Sequence, residues 1–131
     1  MQLYLQKNNN MQIVANTFIT IVALLHIYFL ILEMFLWTTP KGRKTFGTTE
    51  KFAEDSKVLA ANQGLYNGFL AAGLVWALLE SDEHFSFYLK IFFLSCIIIA
   101  GLYGAISTKN KKLFFVQSLP ALVALVLVHF R

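Results

Sequence analysis

The chain has 131 residues, of which 57% are hydrophobic and only 14% are charged, and its formal net charge is +4. A soluble domain of this size could not bury so much apolar surface, and soluble domains carry roughly 25% charged residues. The composition therefore excludes a soluble or disordered chain, and the dispersed Lys and Arg residues exclude a nucleic-acid-binding face. It predicts one integral domain in a lipid bilayer.

Four apolar stretches are long enough to cross a bilayer, which requires about 20 residues. The predicted helices cover residues 11–37, 50–79, 85–107 and 112–130. A helix satisfies its own backbone hydrogen bonds in lipid, and short connections favour antiparallel neighbours. We therefore predict an all-α fold, an antiparallel bundle of four transmembrane helices. The polar residues 1–10 predict a loose extension, and Met11 is an alternative start.

The charges between the helices predict the orientation. The connection over residues 38–57 contains five basic residues and the connection over residues 108–112 contains three. The connection between the second and third helices contains Glu80, Asp82 and Glu83 and neither Lys nor Arg. Because basic connections stay in the cytoplasm, residues 38–57 and 108–112 are predicted to be cytoplasmic, with both termini outside.

Polar side chains occur in all four predicted helices. At about 1.5 Å per residue, most of them lie at similar depths in the cytoplasmic half of the bilayer. This agreement in depth predicts one ligand-binding site between the helices. Its candidate residues are Glu33, His26, Asn62, Gln63, Tyr66, Asn67, Tyr103 and Gln117.

Glu33 is the most informative single residue, because carboxyl groups are costly within a membrane and are functional candidates there. In a purely structural role it would bond to Asn62, Gln63 or Gln117, or else reach Arg43 or Lys44.

His26 lies seven residues before Glu33, on nearly the same helix face. It would bond to Asn67 or Tyr66 in a structural role. Glu33 and His26 are also the candidates for acid–base catalysis. No His or Cys pair has the spacing of metal ligands, so neither a metal nor a cofactor is predicted, and haem bound through His26 is an alternative.

Four motifs mark the chain from Met11 onward: His26-x6-Glu33, Asn62-Gln63-Gly64-x-Tyr66-Asn67, Tyr103-Gly104 and Gln117-x2-Pro120. In these the sequence resembles an uncharacterised family of small bacterial integral membrane proteins, known only as a domain of unknown function. The resemblance implies a four-span protein of the bacterial inner membrane. It implies no reaction.

Three functions fit the polar site. The first is binding or transport of a small amphipathic or cationic molecule, with Glu33 as a proton-linked acceptor and with a homo-oligomer completing the pathway. The second is a membrane enzyme acting on a lipophilic substrate, in which Tyr103 or Tyr66 donates a proton. The third is a structural or accessory membrane subunit. We expect the first, and do not expect an enzyme.

Overall fold

The computed structural model describes residues 1–109 and 111–130. Within those ranges the chain is helical with short connections and contains no strand, which confirms the all-α prediction. The elements are α1 (Gln2–Met34), α2 (Pro40–Phe46), α3 (Glu50–Leu79), α4 (Glu83–Ser107), α5 (Lys111–Leu113), a π-helix (Phe114–Ser118) and α6 (Leu119–Val128).

The N-terminal residues are helical from Gln2, so the prediction of a loose extension over residues 1–10 was wrong. Once the apolar part of α1 has formed, each further residue extends the helix without a new nucleation cost. The Leu, Gln and Lys residues of this stretch are good helix formers. At its other end α1 stops at Met34, three residues before the predicted boundary.

The chain divides into two compact units. The first comprises residues 1–23 and 72–131, and the second comprises residues 24–71. In the first unit, α4 packs against the π-helix and α6. Leu94 and Ile97 of α4 and Ala121 and Ala124 of α6 are fully buried, so apolar side chains fill this packing.

One close approach within the first unit depends on Gly101. A Cβ atom at this position would overlap the Oγ atom of Ser118. Ser118 is fully buried and donates a hydrogen bond of 3.1 Å to the carbonyl of Ile98. The missing side chain of Gly101 therefore lets the π-helix approach the α4 backbone closely, as small residues do between membrane helices.

The π-helix lies directly before Pro120. Proline has no amide hydrogen, so Pro120 cannot donate to the carbonyl four residues back. The amide of Leu119 donates to the carbonyl of Phe114, five residues back. The wider turn changes the backbone pairing just before the proline, and such turns are frequent at functional sites.

In the second unit, the short helix α2 was not predicted. Thr39 caps its N-terminus by accepting a 3.2 Å hydrogen bond from the amide of Gly42, and Pro40 occupies its first turn. Gly47 follows it in the left-handed conformation, with φ of 67°. A Thr-Pro start and a Gly end are the usual signals of a short helix, so the sequence contained the information. At the start of α3, Thr49 accepts a 3.2 Å hydrogen bond from the amide of Phe52.

Three helical stretches of the described chain are long and apolar enough to cross a membrane. They are Asn9–Met34, Glu83–Ser107 and Lys111–Val128. These stretches are compatible with an integral membrane protein. Helix α3 has the predicted length but is not one of them. The amides of Asn62, Gln63 and Asn67, together with Tyr66, lower its hydropathy, so the same residues that suggested a site make α3 the least apolar long helix.

The close approach at Gly101 predicts the effect of adding one methyl group there. We expect Gly101→Ala to lower the free energy of unfolding in detergent by about 1–3 kcal/mol, because the new side chain overlaps Ser118.

Gly104→Ala on the same helix is the control. A Cβ atom at Gly104 would lie 3.6 Å from Leu113 Cδ1, an ordinary contact, and Ala is roughly 0.5–1 kcal/mol better than Gly in a helix. Equal effects of the two substitutions on denaturant or thermal unfolding would contradict the packing described for Gly101.

Candidate functional site

The buried face of α3 in the second unit is made mostly of small residues. Ala53, Ala60, Gly64 and Ala71 recur at helical spacing and are all buried. A Cβ atom at Gly64 would lie 3.0 Å from Glu33 Cβ and 3.1 Å from the carbonyl oxygen of Leu30. Small residues therefore bring this face of α3 close to the C-terminal end of α1.

This approach brings Asn67 to Glu33. The Nδ2 atom of Asn67 donates a hydrogen bond of 2.7 Å to Oε2 of Glu33. Asn67 is only 4% exposed, whereas Glu33 is half-buried. A buried amide or carboxyl without a partner is costly, and here each group satisfies the other. Asn67 thereby orients the carboxyl group of Glu33.

A cavity of about 340 Å³ lies beside the carboxyl group. Its size is within the range of roughly 300–1,000 Å³ that is usual for small-molecule sites. Its walls are mostly apolar or aromatic, and its ionisable residues are Glu33 and Lys57. The lining residues are Glu33, Met34, Phe35, Trp37, Thr38, Lys57, Val58 and Ala61.

Neighbouring contacts give the cavity its electrostatic character. Lys57 forms an ion pair with Glu54, one turn earlier on α3. Arg43, predicted as an alternative partner of Glu33, instead donates to the carbonyl of Thr38 and lies 3.7 Å from Glu50. Glu33 is the acidic residue that lines the cavity, and the nearby cations have other acidic or carbonyl partners. The arrangement can accept a cationic group at Glu33 and apolar groups along the walls.

Asn62, Gln63 and Tyr66 were predicted to share the site with Asn67, but their side chains are exposed. Tyr66 is 54% exposed and its ring packs edge-on against Phe69. Asn62 and Tyr66 lie away from the small-residue face at about 100° per residue. The spacing of the small residues was therefore the signal that could have separated Asn67 from its polar neighbours.

His26 is fully buried, and its ring lies edge-on to Phe29 with 5.9 Å between the centroids. It was expected to bond to Asn67 or Tyr66 in a structural role. The amide nitrogen of Asn67 donates to Glu33, because Asn67 lies one helical turn from Gly64 on the face that meets Glu33.

Two further candidates belong to the first unit. Tyr103 of α4 is 74% exposed. Gln117 is half-buried within the π-helix. Neither residue is among those that line the cavity beside Glu33.

One polar contact in the first unit was not predicted from the sequence. Lys90 of α4 is 6% exposed, and its ammonium group donates a 3.0 Å hydrogen bond to Oδ1 of Asn16 on α1. A long basic side chain in a membrane helix was more readily interpreted as reaching the interface. The combination of Gln12 and Asn16, one turn apart near the start of an apolar helix, was the available signal of a polar partner.

Comparison with known proteins gives a family but no reaction. The profile of a family described as protein of unknown function (DUF1304) matches residues 20–129. The chain is 33% identical over 108 residues to the uncharacterized protein YpaA of Lactococcus lactis subsp. lactis (strain IL1403), covering 81% of this chain and 88% of that protein. No solved structure matches the chain. The chain belongs to the DUF1304 family of proteins of unknown function.

Proposed function

We propose that this protein binds a small amphipathic cation in the cavity beside Glu33. The observation that supports this most directly is the carboxyl group of Glu33, which is held by Asn67 and lines an otherwise mostly apolar cavity. A carboxylate provides charge-assisted contacts to a cation, while aromatic walls attract both its charge and its apolar groups. A purely polar ligand would find few matching groups there.

The aromatic residues beside Glu33 favour a ligand that has both a positive charge and apolar groups. Phe35 is 68% exposed and Trp37 is half-buried, so both rings retain surface that a ligand can cover. Trp37 donates a 3.1 Å hydrogen bond to Ser56 and packs against Phe46. Its ring is therefore positioned before any ligand arrives, which reduces the entropy that binding must offset.

The proposal includes four spans, with α3 as the fourth. The Glu33–Asn67 hydrogen bond supports this, since it lowers the cost of placing both groups in lipid. By the positive-inside rule the basic segments 38–57 and 108–112 lie in the cytoplasm of a bacterial inner-membrane protein and both termini lie outside. In that orientation the cavity beside Glu33 opens toward the cytoplasm.

The exposed polar face of α3 supports a homo-oligomer. Asn62, Gln63 and Tyr66 would meet hydrocarbon if the chain were monomeric in a membrane, and unsatisfied amides there are costly. Side-chain amides both donate and accept hydrogen bonds, so a second copy related by a twofold axis can satisfy them with the same surface. Transport of the cation, coupled to proton exchange at Glu33, would use such an assembly.

A structural role is the second candidate, and one observation favours it. The Glu33–Asn67 hydrogen bond joins α1 and α3 in the second unit, close to the small-residue face of α3 at Gly64. If this bond only holds the two helices together, its loss reduces stability and changes neither binding nor flux.

Replacing Glu33 tests the cation site. We expect Glu33→Gln to weaken binding of tetraphenylphosphonium by the purified protein at least about tenfold, because the amide keeps the shape but removes the charge. Proton-driven uptake of the same cation into proteoliposomes is expected to disappear.

Asp55→Asn is the matched control, since Asp55 is exposed on α3 and lies outside the cavity. It should bind the cation as the wild type does when both are measured by equilibrium dialysis. Identical affinities of the wild type and Glu33→Gln would reject the proposed cation site.

A double-mutant cycle tests the hydrogen bond itself. We expect Glu33→Ala and Asn67→Ala each to lower the free energy of unfolding, and their combination to cost less than the two single effects added together. The coupling should be about 0.5–3 kcal/mol. Additive effects on unfolding in detergent would mean that the two side chains do not interact.

The oligomer has its own test. We expect Asn62→Leu combined with Gln63→Leu to shift the protein toward the monomer, because these substitutions remove the groups that a second copy would satisfy. Light scattering in detergent measures the mass. A wild-type protein that is monomeric in both detergent and bilayer nanodiscs would contradict the proposal, as would an unchanged mass of the variant.

A further inference from the structure

A groove of about 460 Å³ lies in the first unit, where α4 ends and the π-helix begins. It shares no residue with the cavity beside Glu33. Its walls come from one face of α4 and from two adjacent aromatic side chains of the π-helix. The apolar lining residues are Leu102, Ala105, Ile106, Phe114 and Phe115.

Two lysines complete the groove at one end. Lys109 and Lys111 both line it and are both exposed, and none of the residues that line the groove is acidic. The groove therefore combines apolar walls with a positively charged end. The backbone of Lys109 has a φ of 55°, a left-handed conformation that residues other than Gly, Asn and Asp adopt rarely.

The geometry points to a binding site for one anionic phospholipid. Its acyl chain lies along the apolar walls and its phosphate group lies between the ammonium groups of Lys109 and Lys111. Basic pockets beside membrane helices recognise anionic headgroups in this way, and charge-assisted hydrogen bonds to phosphate are stronger than neutral ones. The volume of the groove is within the usual range for a ligand site.

The exposure of the walls favours a phospholipid over a free phosphate ion. Ile106 is 75% exposed and Phe115 is 59% exposed, so a phosphate ion alone would leave both side chains uncovered. An acyl chain covers both side chains and packs along the apolar walls, and van der Waals packing of this kind stabilises contacts within a membrane. The apolar walls of the groove thus match the acyl chain of a phospholipid, and its two lysines match the phosphate group of the same molecule.

The experiment titrates detergent-purified full-length protein with short-chain phosphatidylglycerol or phosphatidylcholine and counts bound lipids by native mass spectrometry. We expect phosphatidylglycerol to bind more tightly, and Lys109→Asn combined with Lys111→Gln to weaken its binding about 30-fold. This follows from a contribution of roughly fivefold per basic residue at an anionic headgroup. Asn is chosen at position 109 because it tolerates the left-handed conformation.

Three further variants make the result specific. Lys109→Arg combined with Lys111→Arg should retain binding, because both charges remain. Lys44→Gln combined with Lys51→Gln removes the same charge from the other basic segment and should also retain it. Ala105→Phe fills the groove and should abolish binding although both lysines are present. Unchanged tetraphenylphosphonium binding by every variant would show that the protein is folded and that the two sites are independent.

Several outcomes would overturn the proposal. Equal affinity for the two lipids would mean that the lysines do not recognise the headgroup. Retained binding by Ala105→Phe, or competition by inorganic phosphate, would mean that the apolar walls take no part. A protein dimer that carries no lipid and is separated by Ala105→Phe would assign the groove to a second copy of the chain.

Discussion

A carboxyl group within an apolar helix needs a hydrogen-bond donor, and much of the second unit follows from how Glu33 obtains one. The donor is the amide of Asn67, and the two groups meet because Gly64 has no side chain to separate α3 from the end of α1. A cavity lies beside Glu33, where α1 ends and the chain continues toward α2. One small residue thus explains the hydrogen bond that orients the carboxyl group beside this cavity.

The two concave sites differ in the charged groups that line them. The cavity of the second unit is lined by Glu33 and by Lys57, which pairs with Glu54, whereas the groove of the first unit is lined by two basic groups. Each also has apolar walls, which is the basis for proposing an amphipathic cation in the cavity and an anionic phospholipid in the groove. Because the two sets of lining residues do not overlap, a change at one site leaves the residues of the other in place.

The helical content and most of the helix positions could be predicted from hydropathy alone, since long apolar stretches have few alternatives in lipid. The range predicted for the second helix, 50–79, has the same bounds as α3, and the third begins two residues earlier than predicted. The short helical elements between the long helices were harder to predict. The Thr39-Pro40 start of α2 and the π-helix depend on local hydrogen bonds, which hydropathy does not register.

The candidate site could be predicted only in part, because depth along a helix says nothing about direction around it. Glu33 and Asn67 lie together, while Asn62 and Tyr66, at similar depth, are exposed. The spacing of the small residues of α3 indicates which face of this helix packs against α1, and so which polar residues lie on that face. The burial of Lys90 also depends on direction around the helix, because its ammonium group is satisfied by a partner on another helix, Asn16.

The π-helix has a consequence for how changes in chain length would be tolerated. A bond from Leu119 back to Phe114 encloses one more residue than a normal turn, so the wide turn takes up one residue that in a regular helix would add about 100° of rotation. Deleting one residue between 114 and 118 would therefore restore a regular helix and leave Lys111 in nearly the same direction relative to α6. A deletion within α6 would instead rotate the residues before it by about 100° relative to those after it.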